Sequence, residues 1–153
     1  MKAFIFAAVL LTASLACFGA DPQPLAPPPA PFGPQRLWDG DRWSAWITDD
    51  AVHTPEVVLE LAGEKTFNLI RLREDIRLGQ RVEGVAVDVW DEKAEGGAAW
   101  KEIAKAQSVG ACRLWRRPKT AAAKLRLRVT QAPVAPALSD VGLFMEPEFE
   151  ARK

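Results

Sequence analysis

Two stretches of the chain repeat valine or leucine at every second position. Val85, Val87 and Val89 fall on one side, and Ala86, Asp88 and Trp90 on the other. Leu125, Leu127 and Val129 alternate with Lys124, Arg126 and Arg128. A repeat of two is that of a pleated strand, and the second stretch predicts one buried and one wet face. Phe67 to Arg73 is rich in β-branched, aromatic and leucine residues and reads as a further strand. Val57 to Leu61 predicts a short strand ending at a Gly63 turn. Trp100 to Ala106, Val109 to Arg117 and Ala137 to Met145 complete the set. Between strands, Glu74 to Arg81 carries too many charged and amide side chains for a core and predicts a surface loop, with Gly79 where a Cβ would clash. Asp91 to Ala98, with Gly96-Gly97, predicts a hairpin-like loop, and Asp39-Gly40-Asp41 a turn. Ala121 to Ala123 is too short to nucleate a helix. Short strands with regular turns predict an all-β fold, a two-sheet antiparallel β-sandwich. Trp46 and Trp90 sit in strand patterns and are expected in the core. Trp38, Trp43 and Trp115 lie nearer turns and are expected to be exposed.

The ends change this picture. Lys2 precedes an apolar run from Ala3 to Leu11, and Ser14 and Ala16 permit cleavage before Cys17. Residues 1–20 therefore read as an export signal cleaved near 16–20. An uncleaved anchor is the competing reading, since residues 3–20 approach the roughly 20 needed to cross a bilayer. Thr12, Ser14 and Gly19 interrupt the run and favour cleavage. Ser14-Leu15-Ala16-Cys17 is distantly similar to a lipoprotein box, which would place a lipid on Cys17. Either way the chain is expected to be exported: secreted, periplasmic or held at a membrane by lipid. Residues 21–34 hold seven of the twelve prolines and predict an extended spacer. The domain is expected over 35–147, with a tail at 148–153.

Size and charge exclude several functions. The 153 residues allow one domain with a proper core. They cannot also hold a (β/α)8 barrel of about 250 residues. Twenty basic and twenty acidic side chains cancel, which leaves no electrostatic footprint for nucleic acid. Arg113, Arg116, Arg117 and Lys119 cluster locally and read as a solvated strand end. Two cysteines and one histidine preclude a disulfide framework or a zinc site. Cys112, in a predicted strand, is expected to be buried and inert.

The run Phe67-Asn68, Ile70, Leu72, Glu74, Ile76, Leu78-Gly79-Gln80-Arg81-Val82 carries a more specific signal. It is followed in order by Trp100, Val109-Gly110-Ala111-Cys112-Arg113, Leu125-Arg126-Leu127-Arg128 and Pro136-Ala137-Leu138-Ser139-Asp140-Val141-Gly142-Leu143-Phe144. This series resembles the C-terminal β-sandwich module of family 29 α-L-fucosidases over roughly residues 35–146. It departs at Gln107-Ser108 and Ala111, where threonines and a tyrosine are usual. More distantly the chain is similar to coagulation factor 5/8 type C (discoidin) domains and family 32 carbohydrate-binding modules. The resemblance implies a jelly roll of the discoidin, galactose-binding-like type. It also implies that fucosidase chemistry belongs to a barrel for which this chain has no room.

Candidate chemistry is correspondingly sparse. His53 lies near Asp49 and Asp50, but no G-x-S-x-G motif accompanies it. Glu74 and Asp75 are adjacent and would face opposite ways on a strand, whereas two carboxylates hydrolysing a glycoside flank one bond at about 5–9.5 Å. Catalysis is not expected. Sugar recognition needs an aromatic plate and a few fixed polar groups, and the chain has six tryptophans. The candidate carbohydrate contacts are Trp43, Glu74, Arg77, Gln80, Arg113 and Trp115. Gln80 and Arg81 would alternatively brace their loop or dock onto a catalytic domain. The resemblance also implies a structural calcium ion, for which Asp39, Asp41, Ser44 and Glu146 are the candidate ligands. The alternative is a turn held by aspartate side chains alone. The expected function is an exported, non-catalytic carbohydrate-binding module with glycans as partners. The competing readings are a docking subunit for a separate glycoside hydrolase or envelope protein, and the orphaned C-terminal part of a fucosidase. The export signal directly before the spacer argues against the last.

Overall fold

A computed structural model describes residues 31–147. The readings of a signal, of Cys17, of most of the spacer and of the tail lie outside the described residues. Six strands follow in order: β1 (Trp46–Ile47), β2 (Glu56–Glu74), β3 (Gly84–Asp91), β4 (Ala99–Ala106), β5 (Arg113–Gln131) and β6 (Ala137–Phe144). Short 3-10 turns occupy Pro34–Leu37 and Ile76–Leu78. Hydrogen-bonded neighbours run β1-β6-β2-β5-β3-β4, and every pairing is antiparallel.

The sandwich is built by two strands that serve both layers. β2 and β5 are each 19 residues long. The first half of β2 pairs with the second half of β5, as in Leu59 opposite Leu125, and the second half of β2 with the first half of β5, as in Ile70 opposite Trp115. Register shifts between Glu60 and Lys65, and between Phe67 and Leu69, mark the bend. Such irregularities bend a strand and strengthen its twist. Gly63 sits at the bend with φ +77°, and Pro118, which has no N–H to donate, falls within the second shift. One layer is thus β1-β6-β2-β5 and the other β2-β5-β3-β4. The expected strand 57–61, Gly63 turn and strand 67–73 are in fact one bent strand, as are the two segments expected at 109–117 and 124–131. β5 begins only at Arg113, and residues 107–112 form a loop. Cys112 is consequently exposed, not buried as its expected place in a strand implied.

The core lies between the layers. Leu37, Trp46, Phe67, Ile70, Leu72 and Leu138 come from one side, and Val85, Val87, Val89, Ile103, Leu125 and Leu127 from the other. Each such side chain contributes about 1.5–3 kcal/mol on burial. The outer face of the second layer is polar. Asp88, only 1% exposed, takes Arg126 Nε at 2.8 Å and Arg128 Nε at 2.7 Å. Burial pushes the Asp88 carboxyl up, but the bonds from Arg128 and Arg126 outweigh it and hold it below the usual range. Trp90 lies on this outer face, half-buried and edge-on to Trp100 at 5.2 Å, and so is not the core residue expected. The packed region also reaches back before residue 35, because Ile47 N–H donates to the Phe32 carbonyl at 3.1 Å.

Antiparallel pairing gives the sandwich two distinct ends. At one lie residues 31–45, 75–83, 107–112 and 132–136. At the other lie the two bends, the 91–98 loop and residues 145–147.

Candidate functional site

The first of these ends carries a shallow depression of about 590 Å³. Its construction starts at the last residues of β2. Asp75 N–H donates to the Ala137 carbonyl at 2.9 Å, which ties the chain to the start of β6 as it leaves the sheet. The Asp75 carboxylate then takes Arg77 Nε at 2.7 Å and Arg77 Nη2 at 2.7 Å, besides the Arg77 amide at 3.3 Å. An aspartate bonding the backbone two residues on is a local turn-former, and here it sets the Ile76–Leu78 turn. The hydrogen bond from Arg77 holds the Asp75 carboxyl below its usual range against the effect of burial, and it raises the guanidinium in turn. Gly79 closes the turn at φ +88° with open space where a Cβ would stand. Its requirement is therefore a left-handed backbone and not the clash expected from the sequence.

Arg77 reaches across to the N-terminal segment. Its Nη2 donates to the Trp43 carbonyl at 2.6 Å, and its guanidinium carbon lies 5.3 Å from the Trp43 ring centroid. Arg42 approaches the same ring at 4.8 Å. Trp43 nonetheless remains 60% exposed. The segment that presents it is a chain of short side-chain bonds. Asp39 Oδ1 accepts the Asp41 amide at 2.8 Å, Asp41 Oδ1 accepts the Trp43 amide at 2.9 Å, and Ser44 Oγ donates to Asp39 Oδ2 at 2.7 Å. The bond from Ser44, then the one from the Asp41 amide, keep the Asp39 carboxyl low. Phe32, Arg36, Asp41, Asp75 and Leu78 join Trp43 and Arg77 around the depression.

The other sequence-predicted contacts fall elsewhere. Glu74 is 3% exposed, not on a surface loop, and its carboxylate accepts the backbone N–H groups of Arg81, of Val82 at 2.9 Å and of Gly110 at 3.2 Å. It braces two loops and cannot meet a ligand. Gln80 is exposed beyond the turn and does not line the depression. Arg113 turns to Ser108, with Nε to the carbonyl at 3.0 Å and Nη2 to Oγ at 2.9 Å. Trp115 is half-buried against the core, not exposed, and its Nε1 donates to the Lys105 carbonyl at 3.2 Å, where β5 crosses β4. Arg81 does brace, as one of the two expectations had it, through Nε to Leu78 O and Nη1 to Ala135 O, both at 3.0 Å.

The four candidate calcium ligands are not brought together. Asp39, Asp41 and Ser44 share a turn, but their oxygens are engaged with one another and with local amides. The Arg36 guanidinium stands 3.3 Å from Asp39 Oδ2, where it would oppose a cation. Glu146 lies beyond the far end of β6, paired with Arg116 at 2.8 Å. Among the described residues no three His, Cys, Asp or Glu side chains cluster as a metal site would need. The residues present do not fit the ion. Among the described residues neither histidine nor cysteine lines the depression, Asp75 is committed to Arg77, and His53 is exposed with its ring nitrogen 2.9 Å from the Asp50 carbonyl. The sequence had no direct mark for Asp75, Phe32 or Leu78. The Asp75-x-Arg77 spacing was the one available signal for the first.

No family model matches this chain. The α-L-fucosidase 1 of Arabidopsis thaliana is 26% identical over 116 residues, which is 75% of this chain and 22% of that protein. The crystal structure of SpGH29 superposes with a TM-score of 0.68 at 34% identity, covering 78% of this chain and 25% of that one. Chitosan-binding module 1 of a chitosanase/glucanase from Paenibacillus sp. IK-5 superposes with a TM-score of 0.63 at 16% identity, over 75% of this chain and 86% of that one, and so shares the fold. The chain spans about a fifth to a quarter of the fucosidases it matches.

Proposed function

Since the chain resembles the C-terminal β-sandwich module of family 29 α-L-fucosidases, we propose that it is an exported, non-catalytic module that binds glycans, its ligand a fucosylated or galactosylated sugar. The observation that supports this best is the exposed Trp43 indole above a depression whose polar groups are already fixed. A sugar ring offers an apolar C–H face to an indole and hydroxyls to charged groups at its rim. Arg77 is held by Asp75 and by the Trp43 carbonyl, so it loses little freedom when a hydroxyl arrives. Arg42 is exposed beside the same ring and is the guanidinium a sugar would displace. The chitosan-binding module of the Paenibacillus protein has this fold, which favours a saccharide ligand here.

Affinity electrophoresis of the purified chain and its Trp43→Ala variant, on glycans chosen from an array, tests this reading. Retention that falls at least about tenfold in the variant is expected from loss of the stacking surface. Folded protein retained by no glycan would overturn it. Turnover of a fluorogenic fucoside by the chain alone would overturn its non-catalytic part. A docking role draws support from Leu114, Phe144 and Met145, which are 45%, 40% and 46% exposed. Recovery of a glycoside hydrolase in a pull-down would favour that role.

A further inference from the structure

The opposite end of the sandwich carries a second, comparably large groove of about 640 Å³. It opens where the bend of β5 passes the β3–β4 hairpin. Val89, Ile103 and Ala122, each at most 5% exposed, form its floor, and Trp90 stands at its side. Arg117 enters from β5, and Lys93 and Lys101 from the hairpin. Arg117 Nε is buried and has no hydrogen-bond partner among the described residues. A buried guanidinium donor without a partner is costly, so native proteins rarely leave one without a use. Of the acids at the rim, Asp91 is already engaged, its Oδ1 accepting the Lys93 amide at 2.9 Å.

We propose that this groove is a second binding site, for an acidic saccharide bearing carboxylate or sulfate groups. Arg117 meets the anion with its terminal guanidinium N–H groups, which match a planar or tetrahedral oxyanion. Lys93 and Lys101 add charge, and Val89 and Ile103 meet the C–H face of the ring. Glu64 and Glu92 at the rim accept sugar hydroxyls. The site is independent of the Trp43 depression. The eight residues of β3 run between the two ends, a separation of about 25 Å at strand rise. One module would thus hold two chains, or two parts of one polymer.

The test is affinity electrophoresis of the full chain in gels containing polygalacturonate or dextran sulfate, with Arg117→Gln, Lys101→Glu and Trp43→Ala beside wild type. Retardation in at least one acidic gel is expected, and the gel that acts identifies the anion. Arg117→Gln should weaken binding at least about tenfold, as for loss of a charge-assisted hydrogen bond. Lys101→Glu, at an exposed position that leaves the core untouched, should also weaken it, and Trp43→Ala should not. Absence of retardation in both gels, undiminished retardation of folded Arg117→Gln and Lys101→Glu, or equal retention by single-stranded DNA would each overturn the proposal.

Discussion

Glu74→Gln separates a brace from a ligand contact and gives a magnitude that can be worked out in advance. The carboxylate accepts three backbone N–H groups, from Arg81 and Val82 on Oε1 and from Gly110 on Oε2. A glutamine can keep its oxygen at the Oε1 position and retain the first two. Its NH2 then faces the Gly110 N–H, donor against donor. One charge-assisted bond is lost and two buried donors meet, for a cost of about 2–3 kcal/mol. Glu74→Ala strands all three amides and should cost about 4 kcal/mol, close to the whole stability of a marginal domain. For a domain of this size each kcal/mol moves the melting temperature by about 4 °C, so Glu74→Gln should melt about 8–12 °C lower. Urea denaturation should show the same loss with an unchanged m-value, because no surface is added or removed. Hydrogen exchange should quicken first at Gly110, whose N–H loses its acceptor. A Glu74→Gln protein within about 0.5 kcal/mol of wild type would refute the assignment of Glu74 as the tie between these loops.

Other outcomes follow from the same geometry. Asp88 has a folded-state pKa below its ordinary value, so its contribution is fully present above the unfolded value and is lost as pH falls through the folded one. Thermal melts from pH 7 down to about 3 should therefore show wild type losing stability more steeply below about pH 4 than Asp88→Asn does, and parallel slopes would contradict this. At pH 7, Asp88→Asn should cost about 2–3 kcal/mol in urea melts, near or below the lower edge for a broken buried pair, because Arg128 and Arg126 retain Glu102 and Glu56. Cys112 is exposed, and Ellman's reagent should label it in the native protein within the mixing time of a surface thiol, with that signal absent from Cys112→Ser. Millimolar calcium should leave the melting temperature unchanged, since Arg36 rather than an ion sits at Asp39; a rise of several degrees would restore the calcium reading.

The parts of the fold that were legible in the sequence are those in which each residue reports its own environment. Leu125, Leu127 and Val129 are at most 2% exposed while their neighbours Arg126 and Arg128 stay at the surface, as their alternation implied. Strand continuity was not legible, because a bend uses the same residues as a turn. Gly63 and Pro118 punctuate the chain whether a strand ends there or only kinks from one layer to the other. Half of the candidate site was visible for a similar reason: Trp43 and Arg77 lie in turn-rich, charged stretches and are exposed. Glu74 and Asp75 were misread because charge was taken as a mark of exposure. Each is buried, one satisfied by amides and the other by a guanidinium. That pair explains why the depression has a defined shape on an end made of loops. Glu74 ends the sheet and pins the loops after it, and the next residue, Asp75, is bonded to β6 through its own backbone. The guanidinium beside Trp43 is therefore referenced to the sheet through two covalently adjacent carboxylates, and not to the mobility of the loop that carries it.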